Sequence, residues 1–149
     1  MIDSRWHYPT SLKETQKIPY QGIIPLENQV HHQPITFNYT IKATFRRQHC
    51  NPPIWTDFHY HTFEVILELA AICQPEDLYG LDMVEMENKL NLWTEKLPEK
   101  INEHPLCPHG TTEEMCLYFA QIPVEPHVKL LSVSISETPS RVTTLQLSE

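Results

Sequence analysis

An α+β domain, with a four-stranded antiparallel sheet and two helices on one of its faces in the order ββααββ, is the fold class this sequence predicts. Three observations predict it. Stretches at both ends of the domain alternate apolar and polar residues with a period of two, and a middle stretch repeats its apolar residues every three or four. Short breaks, not long crossovers, separate consecutive strands, which pairs them antiparallel. The 149 residues suffice for one domain and are too few for two well-cored ones.

Residues 1–34 show neither period and carry Pro9, Pro19, Pro25 and Pro34. They read as an extended N-terminal arm without a core of its own, with Trp6, Tyr8, Tyr20, Ile23 and Ile24 available for docking. The domain is expected over residues 35–149. Its first strand shows in the alternation of Ile35, Phe37, Tyr39, Ile41, Ala43 and Phe45. Pro52-Pro53 marks a loop, and alternation resumes from Phe58 to about Ala71. One face of this second strand carries His59, His61, Phe63, Val65, Leu67 and Leu69. The other carries Phe58, Tyr60, Thr62, Glu64, Ile66 and Glu68, half polar and suited to water or a solvated cavity. Past the turn near Pro75, Met83, Met86, Leu90, Trp93 and Leu97 recur at helical spacing. They predict a helix from its N-cap Asp82 to Leu97, stopped at Pro98. Thr111-Thr112-Glu113-Glu114 reads as a capping box that opens a second helix, whose apolar side is Met115, Tyr118, Phe119 and Ile122. Residues 128–137 place Leu131, Val133, Ile135 and Glu137 on one face of a third strand. Residues 142–148 supply a short fourth after a turn at Pro139. Two open edges and a half-polar back predict self-association through the edges.

Charge narrows the function classes. Lys and Arg number 11 against 19 Asp and Glu, a net charge of −8. An acidic chain without a basic stripe argues against nucleic acid as a partner. No apolar run is long enough for a membrane span, and no secretory leader is read at the N-terminus. Cys50, Cys73, Cys107 and Cys116 are irregularly spaced with no CxxC pair, so free thiols in a reducing cytoplasm are expected. Three glycines leave no room for a glycine-rich phosphate loop.

The histidines carry the chemistry. On a strand, residues i and i+2 share a face, so His59 and His61 can reach one ion at about 2.0–2.1 Å. His49 ends the preceding strand, and a hairpin would bring it beside the pair, with the 50–57 loop covering the ion. Three histidines and an open position suit a catalytic or ligand-binding zinc better than a closed structural one. His31 and His32 in the arm are competing ligands that no strand fixes.

At these residues the sequence resembles the 6-pyruvoyl-tetrahydropterin synthases and their relatives, the 6-carboxytetrahydropterin synthases, over roughly residues 37–146. Phe45-Arg-Arg-Gln-His49 is similar to the family's F-x-x-x-H, and His59-Tyr-His61-Thr-Phe63 to its H-G-H-x-aromatic. Leu81-Asp82-Met83 with Met86, Thr111-Thr112-Glu113-Glu114-Met115, and Ser136-Glu137-Thr138 resemble the starts of its two helices and the end of its third strand. The resemblance implies the tunnelling fold (T-fold), in which subunits join sheets into a barrel and rings stack, hence a homo-oligomer, trimer or hexamer. It implies zinc on His49, His59 and His61, and a reduced pterin such as dihydroneopterin triphosphate as ligand. Glu137 is implied as the pterin anchor, with Thr111 and Thr112 beside the substrate. A carboxylate suits that task, since a pterin offers an adjacent N–H and amino group that it can accept bidentately.

Two departures bear on activity. Where the family has a catalytic Cys before its H-x-H pair, this chain reads Ile54-Trp55-Thr56-Asp57-Phe58. Where the family has an Asp-His relay, it reads Lys96-Leu97-Pro98-Glu99. Cys50 is the expected catalytic substitute, because a thiol beside a bound cation has its thiolate favoured; His104, His109 and Asp57 are the other candidate bases. Zinc-assisted chemistry on a reduced pterin is the first functional reading. A pterin-binding sensor or partner subunit without turnover is the alternative, and a structural oligomer with a vestigial site is the third.

Overall fold

Strand β1 (Ile35–Asn51) and strand β2 (Trp55–Cys73) form a hairpin of 17 and 19 residues. They are followed by helix α1 (Met83–Glu95), helix α2 (Thr112–Phe119), strand β3 (Val128–Thr138) and strand β4 (Arg141–Gln146). The structure, a computed structural model, describes residues 32–147. The compact unit that holds the sheet begins at Ile35, and the arm expected over residues 1–34, His31 included, lies outside the described residues apart from 32–34. The sheet runs β1-β2-β3-β4 with every pair antiparallel, the order ββααββ that the sequence predicts. Among the described residues no helix is long and apolar enough to cross a membrane.

Alternation sorts the residues of the long strands. Phe63, Val65, Leu67, Leu69 and Ala71 are fully buried, while Glu64, Ile66, Glu68 and Ala70 between them are half-buried and Tyr60 and Thr62 before them exposed. Ile41, Ala43 and Phe45 do the same on β1. The buried face packs under α1, through Met86 and Leu90, and under α2, through Met115, Tyr118 and Phe119. α1 lies against β1, and α2 against β3 and β4. Two reciprocal bonds tie the helices: the Trp93 indole N–H donates to the Tyr118 carbonyl, and the Tyr118 hydroxyl donates to the Trp93 carbonyl.

The caps are as expected at the N-termini. Asp82 accepts from the Glu85 N–H, and Thr111 and Glu114 form a reciprocal capping box. At its far end α1 stops at Glu95, two residues before the expected Leu97. There Arg47 donates to the Thr94 and Leu97 carbonyls, satisfying acceptors that the helix leaves open. Met83, read as part of the apolar side, is 54% exposed because the helix begins there, before the core is reached.

Three departures from regular pairing matter for the site. Between the pairs His49↔His59 and Asn51↔Trp55, β1 has one residue and β2 has three, Thr56 to Phe58, so β2 bulges. Between Glu68↔Ser132 and Leu69↔Leu130, β3 carries an extra residue, Leu131. Leu130 therefore packs on the core in place of Leu131, which the uninterrupted alternation had put there. Between Ser136↔Val142 and Thr138↔Arg141 the extra residue of β3 is Glu137. The loop expected over 50–57 shrinks to the turn at 52–54, because both strands stay paired down to Asn51↔Trp55.

Candidate functional site

The hairpin register brings the three histidines together. His49 stands directly opposite His59, and Arg47 opposite His61, so the three imidazoles sit at one end of the core face of the sheet. Their ring centroids are 4.6 Å (His49–His59), 4.9 Å (His59–His61) and 5.2 Å (His49–His61) apart. One ring nitrogen from each lies within 4.8 Å of the other two. His49 is buried, His61 half-buried and His59 exposed, so the cluster opens outward from the sheet.

Hydrogen bonds settle which nitrogens are free. His49 Nδ1 is 2.7 Å from the Gly110 carbonyl, which can only accept, so Nδ1 carries the proton. Its Nε2 is then a lone pair, buried and without a hydrogen-bond partner. A buried unpartnered polar atom is costly, and a ligand on that lone pair removes the cost. His59 repeats the pattern at the rim, its Nδ1–H donating to the Asp57 carbonyl at 3.1 Å, across the bulge. This is the arrangement in which metal-binding histidines are held, with one nitrogen on a carbonyl and the other toward the ion. Burial holds the His49 and His61 imidazoles below their ordinary value, with the charges of the neighbouring histidines adding to it. Both are therefore neutral at pH 7, the form that ligates.

Gly110 makes the contact possible. Its φ is +61°, and a Cβ there would collide with the Cys50 carbonyl and press on the Asn102 side chain. Asn51 Nδ2 donates to the same Gly110 carbonyl at 3.0 Å and to that of His109 at 2.9 Å, so the hairpin end and the 109–110 segment are locked together.

Glu137 faces the cluster from β3. Its carboxylate oxygens are 3.8 Å from His49 Nε2 and 3.7 Å from His61 Nε2, and Arg141 donates to it at 2.8 Å. Burial pushes this carboxyl up, but the Arg141 hydrogen bond and the nearby His61, His49 and Arg141 charges outweigh it, and the net shift is downward. His59, His61, Glu137 and Arg141 line a cavity of about 550 Å³ with Trp55 and Asp57, within the size range of small-molecule sites. Another cavity, of about 250 Å³, lies at the other end of the sheet around Asp82, Lys89 and His127, away from His49, His59 and His61.

The remaining residues singled out from the sequence are not gathered here. Cys50 is buried and does not line the cavity; its N–H and carbonyl are both bonded to the Asn102 side chain. Thr111 is occupied by the capping box, and Thr112 by the Thr143 hydroxyl at 2.7 Å. His104 packs edge-on to Tyr118, and His109 is bonded to Glu114. Glu99, in the stretch that stands where the family has its Asp-His relay, accepts from the Tyr60 hydroxyl at 2.5 Å. Its backbone carbonyl accepts from the Gln48 N–H, which seals part of the free edge of β1. Asn51, Gly110, Arg141 and Trp55 were not read from the sequence as site residues. Only Gly110 carried a signal, as one of three glycines placed just before a capping box.

Residues 35–147 match the family model described as 6-pyruvoyl tetrahydropterin synthase. A search of curated proteins finds no match. The solved structure of the Caenorhabditis elegans 6-pyruvoyl tetrahydropterin synthase superposes with a TM-score of 0.61 at 15% identity, covering 79% of this chain and 99% of that one. The Plasmodium vivax 6-pyruvoyltetrahydropterin synthase, solved as a catalytic-residue mutant, gives 0.62 at 16% identity, covering 77% and 99%. At these identities the likeness is one of fold.

Proposed function

The chain belongs to the 6-pyruvoyl tetrahydropterin synthase family, and we propose that it binds a reduced pterin, of the dihydroneopterin triphosphate type, beside a zinc ion held by His49, His59 and His61. The observation that carries this reading is the buried, unpartnered Nε2 of His49, fixed in its tautomer by Gly110 and turned to two further imidazoles. Three neutral nitrogen donors with one side open are a donor set that zinc takes. Lewis-acid polarisation of a ligand oxygen is the chemistry that zinc supplies there.

The chain's own residues do the rest. Glu137 accepts the pterin's paired donors with a carboxylate that Arg141 keeps ionised and oriented. Asp57 lines the cavity and is the proton acceptor we assign, in place of the buried Cys50. Edge strands β1 and β4 and the face bearing Tyr60, Thr62, Glu64 and Glu68 support a homo-oligomer, trimer or hexamer; a single monomeric species at micromolar concentration in sedimentation velocity would exclude it. A second reading, pterin binding without turnover, is supported by the position of Cys50 outside the cavity and by the engagement of Glu99 with Tyr60.

Titration of the zinc-loaded protein with a fluorescent pterin tests the ligand class. Glu137→Gln keeps the shape but loses the acceptor charge, and should weaken binding about 10–100-fold. Failure of any pterin to bind the unaltered protein removes the ligand class, and unchanged binding by Glu137→Gln removes the anchor.

A further inference from the structure

We propose that Trp55 is the stacking platform of this site, a specificity-determining residue that holds the flat face of the ligand's bicyclic ring against the hairpin end. The proposal deepens the pterin reading and rests on it. Trp55 is 68% exposed, and its neighbour Ile54 is 76% exposed, at the tip of a hairpin where both line the same cavity as His59, His61 and Glu137. An indole left in water forfeits the burial that usually justifies its size. This one is not on a loose loop. Trp55 is paired with Asn51 at the last rung of the hairpin, the Ile54 N–H donates to the Asn51 carbonyl, and Asn51 is clamped to the 109–110 carbonyls.

The backbone is thus held while the ring is uncovered, which is how a preformed stacking surface is built. The same Gly110 carbonyl takes the Asn51 amide and the His49 Nδ1–H. One acceptor therefore sets the position of the hairpin tip and the orientation of the deepest histidine. A planar ligand whose donors are taken by Glu137 on β3 meets Trp55 on the hairpin, so edge recognition and face recognition come from different elements.

The test uses the full-length zinc-loaded protein and neopterin as the probe, read by tryptophan quenching and by displacement equilibrium. Wild-type protein should show quenching that saturates, and Trp55→Ala should lose about 5–100-fold in affinity, the span of one aromatic–base stack. Trp55→Phe should stay within about threefold of wild type, because a smaller ring still stacks, while the quenching amplitude falls, since Trp6 and Trp93 remain as emitters. Zinc content should be the same in all three proteins. Neopterin affinity that Trp55→Ala leaves unchanged, with wild type binding normally, overturns the stacking role alone. Absence of neopterin binding to wild type overturns the pterin reading and this role with it. A Trp55→Ala protein that changes oligomeric state but not affinity assigns the indole to a subunit contact and also overturns it.

Discussion

Replacing His49 by alanine should strip zinc from the protein while leaving the sheet folded. His49 is the one buried member of the cluster, and it alone comes from β1. Without it, His59 and His61 remain as two ligands at the rim of β2. Loss of an outer partner already costs about 10–100-fold in metal affinity, and loss of a ligand should cost more. The fold should survive because the Gly110 carbonyl keeps its bond from Asn51, so no orphaned acceptor is created. The ring's removal leaves a cavity beside Phe63, which costs about 2–5 kcal/mol, within the stability of an ordinary domain. Gly110→Ala should reach a similar end from behind the ligand. A side chain in the left-handed region costs about 1–3 kcal/mol, and the displaced carbonyl releases His49. Elemental analysis after dialysis, with thermal melts on the same samples, checks both; stoichiometric zinc retained by His49→Ala would sink the assignment.

How much of this was legible depended on whether the signal was local. The i, i+2 spacing of His59 and His61, the capping box at Thr111 and the period of β2 are written in short windows, and all three appear in the structure. A bulge is not written that way. It arises where two strands of unequal residue count must stay paired, and it moved three things: Asp57 toward the cavity, Leu130 onto the core, and Glu137 into the extra position of β3. Cys50, read as the catalytic substitute, is buried and off the cavity wall. Adjacency to His49 in sequence suggested adjacency at the site, but neighbours on a strand face opposite ways, and Asn102 takes both of its backbone groups. The Gly110 carbonyl meets the Asn51 side-chain amide and the His49 ring across more than fifty residues of chain, and no local pattern announces that pairing.

Turnover of dihydroneopterin triphosphate should be slow, and what remains should depend on Asp57 rather than on Cys50. The proposed chemistry needs a group that takes a proton from carbon beside a held oxygen, and a positioned base contributes about 10²–10⁴-fold to such a step. Proton transfer needs hydrogen-bond reach, directly or through one water. Asp57 lines the cavity, whereas Cys50 is buried and absent from its walls. A carboxylate is in general a weaker base than a thiolate, so an aspartate in this role makes a slow enzyme. Nor is there a relay to reset it at the 96–99 segment, where Glu99 is held by Tyr60 and its backbone by Gln48. Asp57→Asn should therefore remove about 10²-fold or more of the residual single-turnover rate at unchanged zinc content, while Cys50→Ser should change it by less than about threefold. The reverse pattern would return the role to Cys50. A wild-type rate at the level of an ordinary synthase would mean that another group on the cavity wall carries the proton. No turnover at all, with neopterin still bound, would make this chain a pterin-binding protein on a synthase fold.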